Sequence, residues 1–191
     1  MDEVRIERSL RAYLEKDEQV LWHGAAKKFP LLAEDAGGLI LVKWLGTTAM
    51  AAIILTLYFR DSAERNPAVA ALVAVVALCL MAAPVAERRR LLRQRYWITD
   101  RRAVLMTQTG TFYSMALADA YAFRVAQGDC LVLGQSLQEE SQGQLRWISC
   151  HPQAEQRKGC APDRVDGMVF YKVRDAAGAA RLLRRGAPPE A

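Results

Sequence analysis

Cys150, His151 and Cys160 are the residues whose types and spacing come nearest to a catalytic or metal site. A thiol beside an imidazole is a common nucleophile, and the same two groups bind zinc. Zinc also needs a fourth ligand and a paired ligand spacing, and neither is evident here. Adjacent residues of a strand point to opposite faces, which would separate the thiol from the imidazole. We keep a thiol or metal site as an alternative, and we expect no enzyme activity, no cofactor and no metal.

A second chemical feature is a cluster of arginines. Its members are Arg88, Arg89, Arg90, Arg93 and Arg95. They directly follow a long apolar run, and basic residues beside a membrane are attracted to anionic lipid headgroups by about 1 kcal/mol each. They also orient a membrane span, because Lys and Arg are retained on the cytoplasmic side. Two interpretations stay open: orientation alone, or orientation together with lipid contact.

The charge distribution does not favour a nucleic-acid-binding protein. The chain has a formal net charge of +5, and the segment 87–102 alone holds seven arginines against two acidic residues. The positive excess is therefore local, and no nucleic-acid recognition motif accompanies it. We expect no nucleic-acid partner.

Two apolar runs precede the arginine cluster, Leu39–Phe59 and Pro67–Ala86. Each has the roughly 20 residues that cross the hydrocarbon core of a membrane, and the second has neither a charge nor a polar stripe. The link between them is too short for a domain, so segment 38–86 predicts a transmembrane hairpin. Lys43 is close enough to the start of the first run to reach the headgroups, whereas an ion relay would need an intramembrane acidic partner.

The flanks of the two runs predict their orientation. Lys27 and Lys28 precede the first run and the arginine cluster follows the second, whereas the link holds Arg60 and Arg65. The positive-inside rule therefore places both termini in the cytoplasm. The N-terminus lacks the apolar core of a signal peptide, so we expect the first run to act as its own insertion signal.

Segment 1–37 begins with apolar residues at helical spacing. They are Ile6, Leu10, Tyr13 and Leu14. The pattern predicts an amphipathic helix from about Asp2 to Lys16, followed by a short extended segment at 19–24. The polar face of this helix carries both signs of charge, whereas helices that bind membrane surfaces favour a basic face. We therefore expect it to pack against the C-terminal domain.

Segment 95–185 is rich in β-forming residues separated by turn residues, and segment 87–102 leads into its first strand. Strands are predicted at 95–99, 103–108, 121–125, 130–134, 145–149 and 168–173. We also expect a long mobile loop at 151–166, a helix at 176–185 capped by Asp175, and a disordered tail at 186–191. The predicted fold class is an α+β membrane protein, in which the transmembrane hairpin joins an antiparallel β-barrel or sandwich capped by a C-terminal helix.

Three segments resemble one protein family: LEKDEQVLWHG at 14–24, RYWITDRRAVLM at 95–106 and FYKVRDAAGAARLL at 170–183. With the paired apolar runs, they resemble membrane-anchored bacterial proteins that carry a pleckstrin-homology-like (PH-like) domain. The resemblance implies a seven-stranded, helix-capped domain on the cytoplasmic face of the bacterial inner membrane, and it implies no established chemistry. PH-like folds elsewhere bind phosphoinositides or proteins, and bacterial ones often form rings or dimers, so a homo-oligomer is among the expectations.

The expected function is a non-catalytic binding or scaffolding module held at the membrane. Its expected partners are anionic headgroups of the lipid bilayer and an unidentified protein, which would contact an exposed strand edge or segment 134–166. The alternative is an accessory subunit of a larger, transport-type membrane complex that contacts its partners through the spans. Ala70, Ala74 and Ala77 are the small residues that would permit such close helix packing.

Overall fold

The computed structural model describes residues 3–32, 37–61, 66–120, 123–126, 129–140, 142–152 and 163–185. The chain divides into two compact units. Met1–Lys28 and Arg90–Ala191 form the first, which we call the sheet domain, and Phe29–Arg89 form the second, which we call the helical hairpin. The predicted tail at 186–191 and residues 153–162 of the predicted loop lie outside the described residues.

The order of elements is mixed α and β, as the sequence predicts. The helices are α1 (Glu3–Tyr13), α2 (Gly37–Asp61), α3 (Pro67–Arg93), α4 (Leu117–Ala120), α5 (Gln142–Trp147) and α6 (Ala176–Arg185). The strands are β1 (Val20–Ala25), β2 (Arg95–Thr99), β3 (Arg102–Met106), β4 (Phe112–Ala116), β5 (Phe123–Ala126), β6 (Cys130–Leu133), β7 (Cys150–Pro152) and β8 (Val165–Phe170). The α+β class is therefore confirmed.

The strands form two four-stranded antiparallel sheets, with the orders β1-β2-β3-β4 and β5-β6-β8-β7. Isolated bridges pair Ala26 with Val173 and Ser114 with Arg164. The described strands form two sheets and do not form a closed barrel, so the antiparallel prediction is confirmed and the barrel alternative is wrong. The described part of the chain has eight strands where the resemblance implies seven.

Both faces of β2 and β3, the central strands of the first sheet, are buried. The side chains that enter the main core from β2 and β3 are Tyr96, Ile98, Ala103 and Leu105. Those on the opposite face are Trp97, Val104 and Met106. Ile6 and Leu10 of α1 pack on this second face, which confirms that the N-terminal helix packs against the C-terminal domain. Since alternate residues of a strand point to opposite faces, covering both faces explains why 95–106 is apolar at nearly every strand position.

Helix α6 closes the main core. The side chain of Asp175 accepts a hydrogen bond from the backbone N–H of Gly178 at 2.8 Å, which is the bond of a helix N-cap. Ala179 and Leu183 are fully buried in the main core. The helix predicted at 176–185, with Asp175 as its cap, is confirmed.

Segment 134–166 differs most from the prediction. The strand predicted at 145–149 is instead helix α5, and the N–H of Ile148 donates to the carbonyl of Gln144 at 3.1 Å. On a strand, Leu145 and Trp147 would share a face, but Leu145 is 1% exposed and Trp147 is 44% exposed. Only one of these two side chains enters the core, which a helical turn permits and a flat strand does not.

Two strands also differ in position from the prediction. The loop predicted at 151–166 contains the end of β7, where His151 pairs with Gly167, and the start of β8 at Val165. Strand β8 ends at Phe170 and not at 173, because Lys172 has a φ of 44° and turns the chain. The sequence pattern gives no prediction for β4.

The helical hairpin consists of α2 and α3 running antiparallel. Near one end, the indole N–H of Trp44 donates to the carbonyl of Met81 at 3.0 Å. Near the other end, the N–H of Asn66 donates to the hydroxyl of Tyr58 at 2.8 Å. Both helices are long and apolar enough to cross a membrane, as predicted. Helix α3 continues past the apolar run to Arg93, so most of the arginine cluster is helical.

Candidate functional site

The last two turns of α3 present three arginines to solvent. Arg89, Arg90 and Arg93 are all exposed. With 3.6 residues per turn, they lie within about 100° of one another around the helix axis. None of the three side chains forms a hydrogen bond or an ion pair with another described residue. We call these three residues the arginine face, and it is a surface that a phosphate-bearing ligand can reach.

The other two predicted contacts are engaged elsewhere. The Nε–H of Arg88 donates to the carbonyl of Phe29 at 2.8 Å, and its guanidinium carbon is 5.6 Å from the centre of the Phe29 ring. Arg95 begins β2 and donates from Nη1 to the carbonyl of Gln94 at 3.1 Å. Both arginines are half-buried. The structure therefore divides the predicted set of five arginines into three free and two bonded side chains.

A further arginine, which the sequence analysis did not single out, has a more elaborate environment. Arg102 donates from Nε and Nη2 to the two carboxylate oxygens of Glu18, at 2.9 and 2.8 Å. Its guanidinium lies over the ring of Tyr13, 4.8 Å from the centroid. The Glu18 side chain is fully buried and that of Arg102 is 18% exposed. A forked, charge-assisted pair of this kind fixes geometry as well as charge.

The ionisation of this pair follows from its bonds. Burial by itself would raise the pKa of Glu18, but hydrogen bonds from Arg102, the Glu15 backbone and Thr99 outweigh it and hold that pKa below its ordinary 4.5. The same hydrogen bond raises the pKa of Arg102. Both groups are therefore charged throughout the neutral pH range, and neither is a candidate proton donor or acceptor there.

The neighbouring bonds show what this arrangement does. Arg101 pairs with Glu15 at 2.6 Å on the exposed side. The backbones of Gln19 and Asp100 bond to each other, and the Gln19 N–H also donates to the Asp100 carboxylate at 3.0 Å. The segments 14–24 and 95–106, which carry the family resemblance, thus bind each other. The ion pairs and hydrogen bonds between the two segments hold the connection from α1 to β1 against the β2–β3 turn.

Tyr13 makes the third attachment of α1. Its ring stacks on that of Phe112 with centroids 4.6 Å apart, and its hydroxyl donates to the carboxylate of Asp163. Burial, and next the bond to Asp163, raises the pKa of Tyr13 to about 12. A neutral, half-buried tyrosine with these two contacts is a structural anchor. The sequence held one signal for the ion pairs of Arg101 and Arg102: the acidic segment 15–18 has the opposite charge to this pair of arginines.

The alternative thiol site gains no support from the described residues. Cys150 is partly buried in β7, and burial raises the pKa of its thiol, whereas nucleophilic cysteines have a lowered pKa. Cys160 and the side chain of His151 lie outside the described residues. Within the described ranges, no three His, Cys, Asp or Glu side chains are grouped so that they could hold a metal ion.

No protein-family model, curated protein or solved structure matches this chain. The candidate site therefore stands on the geometry alone. It is the exposed arginine face at the end of an apolar helix, whereas the second set of arginines, Arg101 and Arg102, is paired with carboxylates and holds the fold together.

Proposed function

We propose that this chain is a membrane-anchored, non-catalytic binding module that presents a PH-like domain on the cytoplasmic face of a bacterial inner membrane. The hairpin crosses the bilayer and both termini are cytoplasmic. The arginine face contacts anionic headgroups, and the sheet domain recruits a protein partner. The family resemblance, the antiparallel sheets and the C-terminal helix support the PH-like part of this proposal.

The observation that carries the proposal is the exposed outer surface of the hairpin. Only 6% of the most apolar window of each helix is buried. The half-buried residues recur every three or four positions, and they form the stripe along which the two helices face each other. The large apolar side chains around that stripe are at least 37% exposed, for example Val42, Leu45 and Leu72. A soluble core helix would bury these residues, so their natural surroundings are lipid tails.

The first experiment tests the anchor itself. Native membranes that contain the full chain are washed with alkaline carbonate and then floated on a density gradient. We expect the protein to resist the wash and to float with lipid, because two apolar helices are held by the hydrocarbon core. Release into the wash would contradict the proposal.

The second experiment tests recruitment by proximity crosslinking in the native membrane. The wild type is compared with a triple variant in which Arg89, Arg90 and Arg93 become lysine, so that charge is kept and forked hydrogen bonding is lost. If a protein partner is captured equally by both forms, the module is a scaffold and the arginines only set orientation. If lipid is captured and the capture falls in the variant, headgroup recognition is the function of the face. Capture of neither overturns recruitment and headgroup recognition together.

One observation favours the transport-type alternative. Ala70 and Ala77 lie on the half-buried stripe of α3, but Ala74 is exposed on the outer surface of the helix. Small residues on an outer surface permit close approach of another helix. Replacing both spans with an unrelated hairpin separates the two functions, because a recruitment module keeps its partner and a subunit that binds through its spans loses it.

A further inference from the structure

Three segments of the sheet domain meet at one edge. Ala25, at the end of β1, pairs with Arg95, at the start of β2. One residue further on, Ala26 forms a bridge with Val173, and the N–H of Lys27 donates to the carbonyl of Lys172 at 2.6 Å. This edge therefore gathers basic residues that are far apart in the sequence. They are Lys27, Lys28, Arg95, Lys172 and Arg174, and we call them the basal patch.

The acidic residues at this edge are already bonded. Asp129 forms an exposed ion pair with Lys27. Asp175 caps helix α6. Lys28 and Arg174 are exposed, and no described residue forms an ion pair or a hydrogen bond with the side chain of either. With five basic residues against the two carboxylates of Asp129 and Asp175, the basal patch keeps a positive surplus, and its members Lys28 and Arg174 are exposed to solvent.

Two members of the basal patch, Lys28 and Arg95, are close in sequence to the two ends of the hairpin. The chain leaves the sheet domain at Lys28 for the hairpin and re-enters it at Arg90. Helix α3 extends seven residues beyond Ala86, the last residue of the apolar run, to Arg93, which is about 10 Å at 1.5 Å per residue. That length is about one Debye length at physiological ionic strength, so a charge at the end of α3 still interacts with an anionic surface at Ala86. Arg95 follows the end of α3 by two residues.

We infer that the basal patch is a docking surface by which the sheet domain lies against the anionic headgroups of the bilayer. The inference rests on the proposed insertion of the hairpin and extends it. The arginine face lies on α3, the helix that continues from the apolar run, whereas the basal patch lies on strand ends and turns of the sheet domain and sets the orientation of that domain. A basic residue near an anionic surface changes a docking equilibrium about fivefold, so two of them together have a measurable effect.

The test uses the full chain in lipid nanodiscs of phosphatidylcholine, with or without phosphatidylglycerol, and measures amide hydrogen exchange. In the wild type, we expect exchange at 26–28 and 171–175 to be about fivefold or more slower in the anionic discs, and the slowing to disappear at high salt. In the double variant Lys28→Glu with Arg174→Glu, we expect the two lipid compositions to give equal exchange at these segments.

The matched control reverses two exposed basic residues outside the patch, Lys16→Glu with Arg164→Glu, and it keeps the lipid dependence. Unchanged exchange at 103–106 shows that each variant is folded, and the milder Lys28→Gln with Arg174→Gln variant repeats the test. If the chain enters the discs but the edge exchanges equally in both lipids, the docking inference is wrong and the anchor stands. If the chain does not enter the discs, the proposed anchor itself is wrong, and the inference fails with it.

Discussion

Two groups of arginines lie near opposite ends of β2, and they differ in what surrounds them. Arg101 and Arg102, after the strand, are paired with Glu15 and Glu18. The arginine face, before the strand, has no such partners among the described residues. A count of charges treats both groups alike. Their partners show that the first group fastens the fold and that the second remains available for binding.

Within the paired group, the surroundings again separate the two members. The Arg102–Glu18 pair is mostly shielded from water, with the carboxylate fully buried. The side chains of the Arg101–Glu15 pair are 47% and 60% exposed. Exposed pairs contribute little to stability because water and salt screen them, whereas removing one member of a buried pair leaves an uncompensated charge.

The largest expected effect follows from that difference. We expect Glu18→Ala to lower the free energy of unfolding by about 3 kcal/mol, because the guanidinium of Arg102 loses its partner while it remains largely buried. The measurement is urea unfolding of the full chain in detergent micelles, followed by tryptophan fluorescence.

Glu15→Ala is the matched control, since it removes a carboxylate from the same segment. We expect it to change the free energy of unfolding by about 0.5 kcal/mol or less. An equal decrease in the free energy of unfolding for the two variants would show that burial does not distinguish the two pairs, which would contradict the comparison.

The parts of the fold that the sequence predicts are those with local signals. A run of 20 apolar residues without a polar stripe is visible within its own window, and so are the β-formers on either side of the turn at Asp100. The helix at 176–185 is also predicted by a local residue, Asp175, which caps its N-terminus. In each case, the residues that decide the structure are neighbours in the chain.

The parts that the sequence does not predict depend on distant partners. Arg102 and Glu18 are 84 positions apart, with the whole hairpin between them. The basal patch likewise exists only because β1, β2 and the turn after β8 converge. The strand predicted at 145–149 is wrong for a related reason. A short apolar pattern fits a strand or a helix, and only the burial of Leu145 without Trp147 decides between them.

A second prediction tests the shape of the paired cation. We expect Arg102→Lys to lower the free energy of unfolding by about 1–2 kcal/mol, because lysine keeps the charge but loses the forked bond to Glu18 and the flat contact with the Tyr13 ring. Arg93→Lys, on the arginine face, is the control, and we expect no change in stability from it. If Arg102→Lys left the free energy of unfolding unchanged, charge alone would be enough to maintain the pair.

A third prediction concerns pH. The pKa of Glu18 is lower in the folded chain than its ordinary value of 4.5, so the folded state holds the ionised form more tightly than the unfolded state does. The stability that this carboxylate contributes is therefore complete above about pH 4.5 and is lost as the pH falls through the folded-state pKa. The stability difference between the wild type and Glu18→Ala should be constant from pH 7 to 5 and shrink below pH 4.5. If the stability difference between the two proteins grew on acidification, the pKa of Glu18 would be raised by folding and not lowered, and the prediction would be wrong.

The smallest expected effect separates Arg88 from its neighbours in the cluster. Its Nε–H bond to the Phe29 carbonyl, and its position over that ring, hold the chain in the segment that precedes α2. Lysine cannot reproduce the planar contact, so we expect Arg88→Lys to speed amide exchange in segment 28–32 about threefold, equivalent to the loss of one modest hydrogen bond. Arg89→Lys, one position along the helix, should leave that exchange unchanged. If both variants speed it equally, the division of the cluster into bonded and free arginines does not hold, because the segment then responds to any arginine at this end of α3.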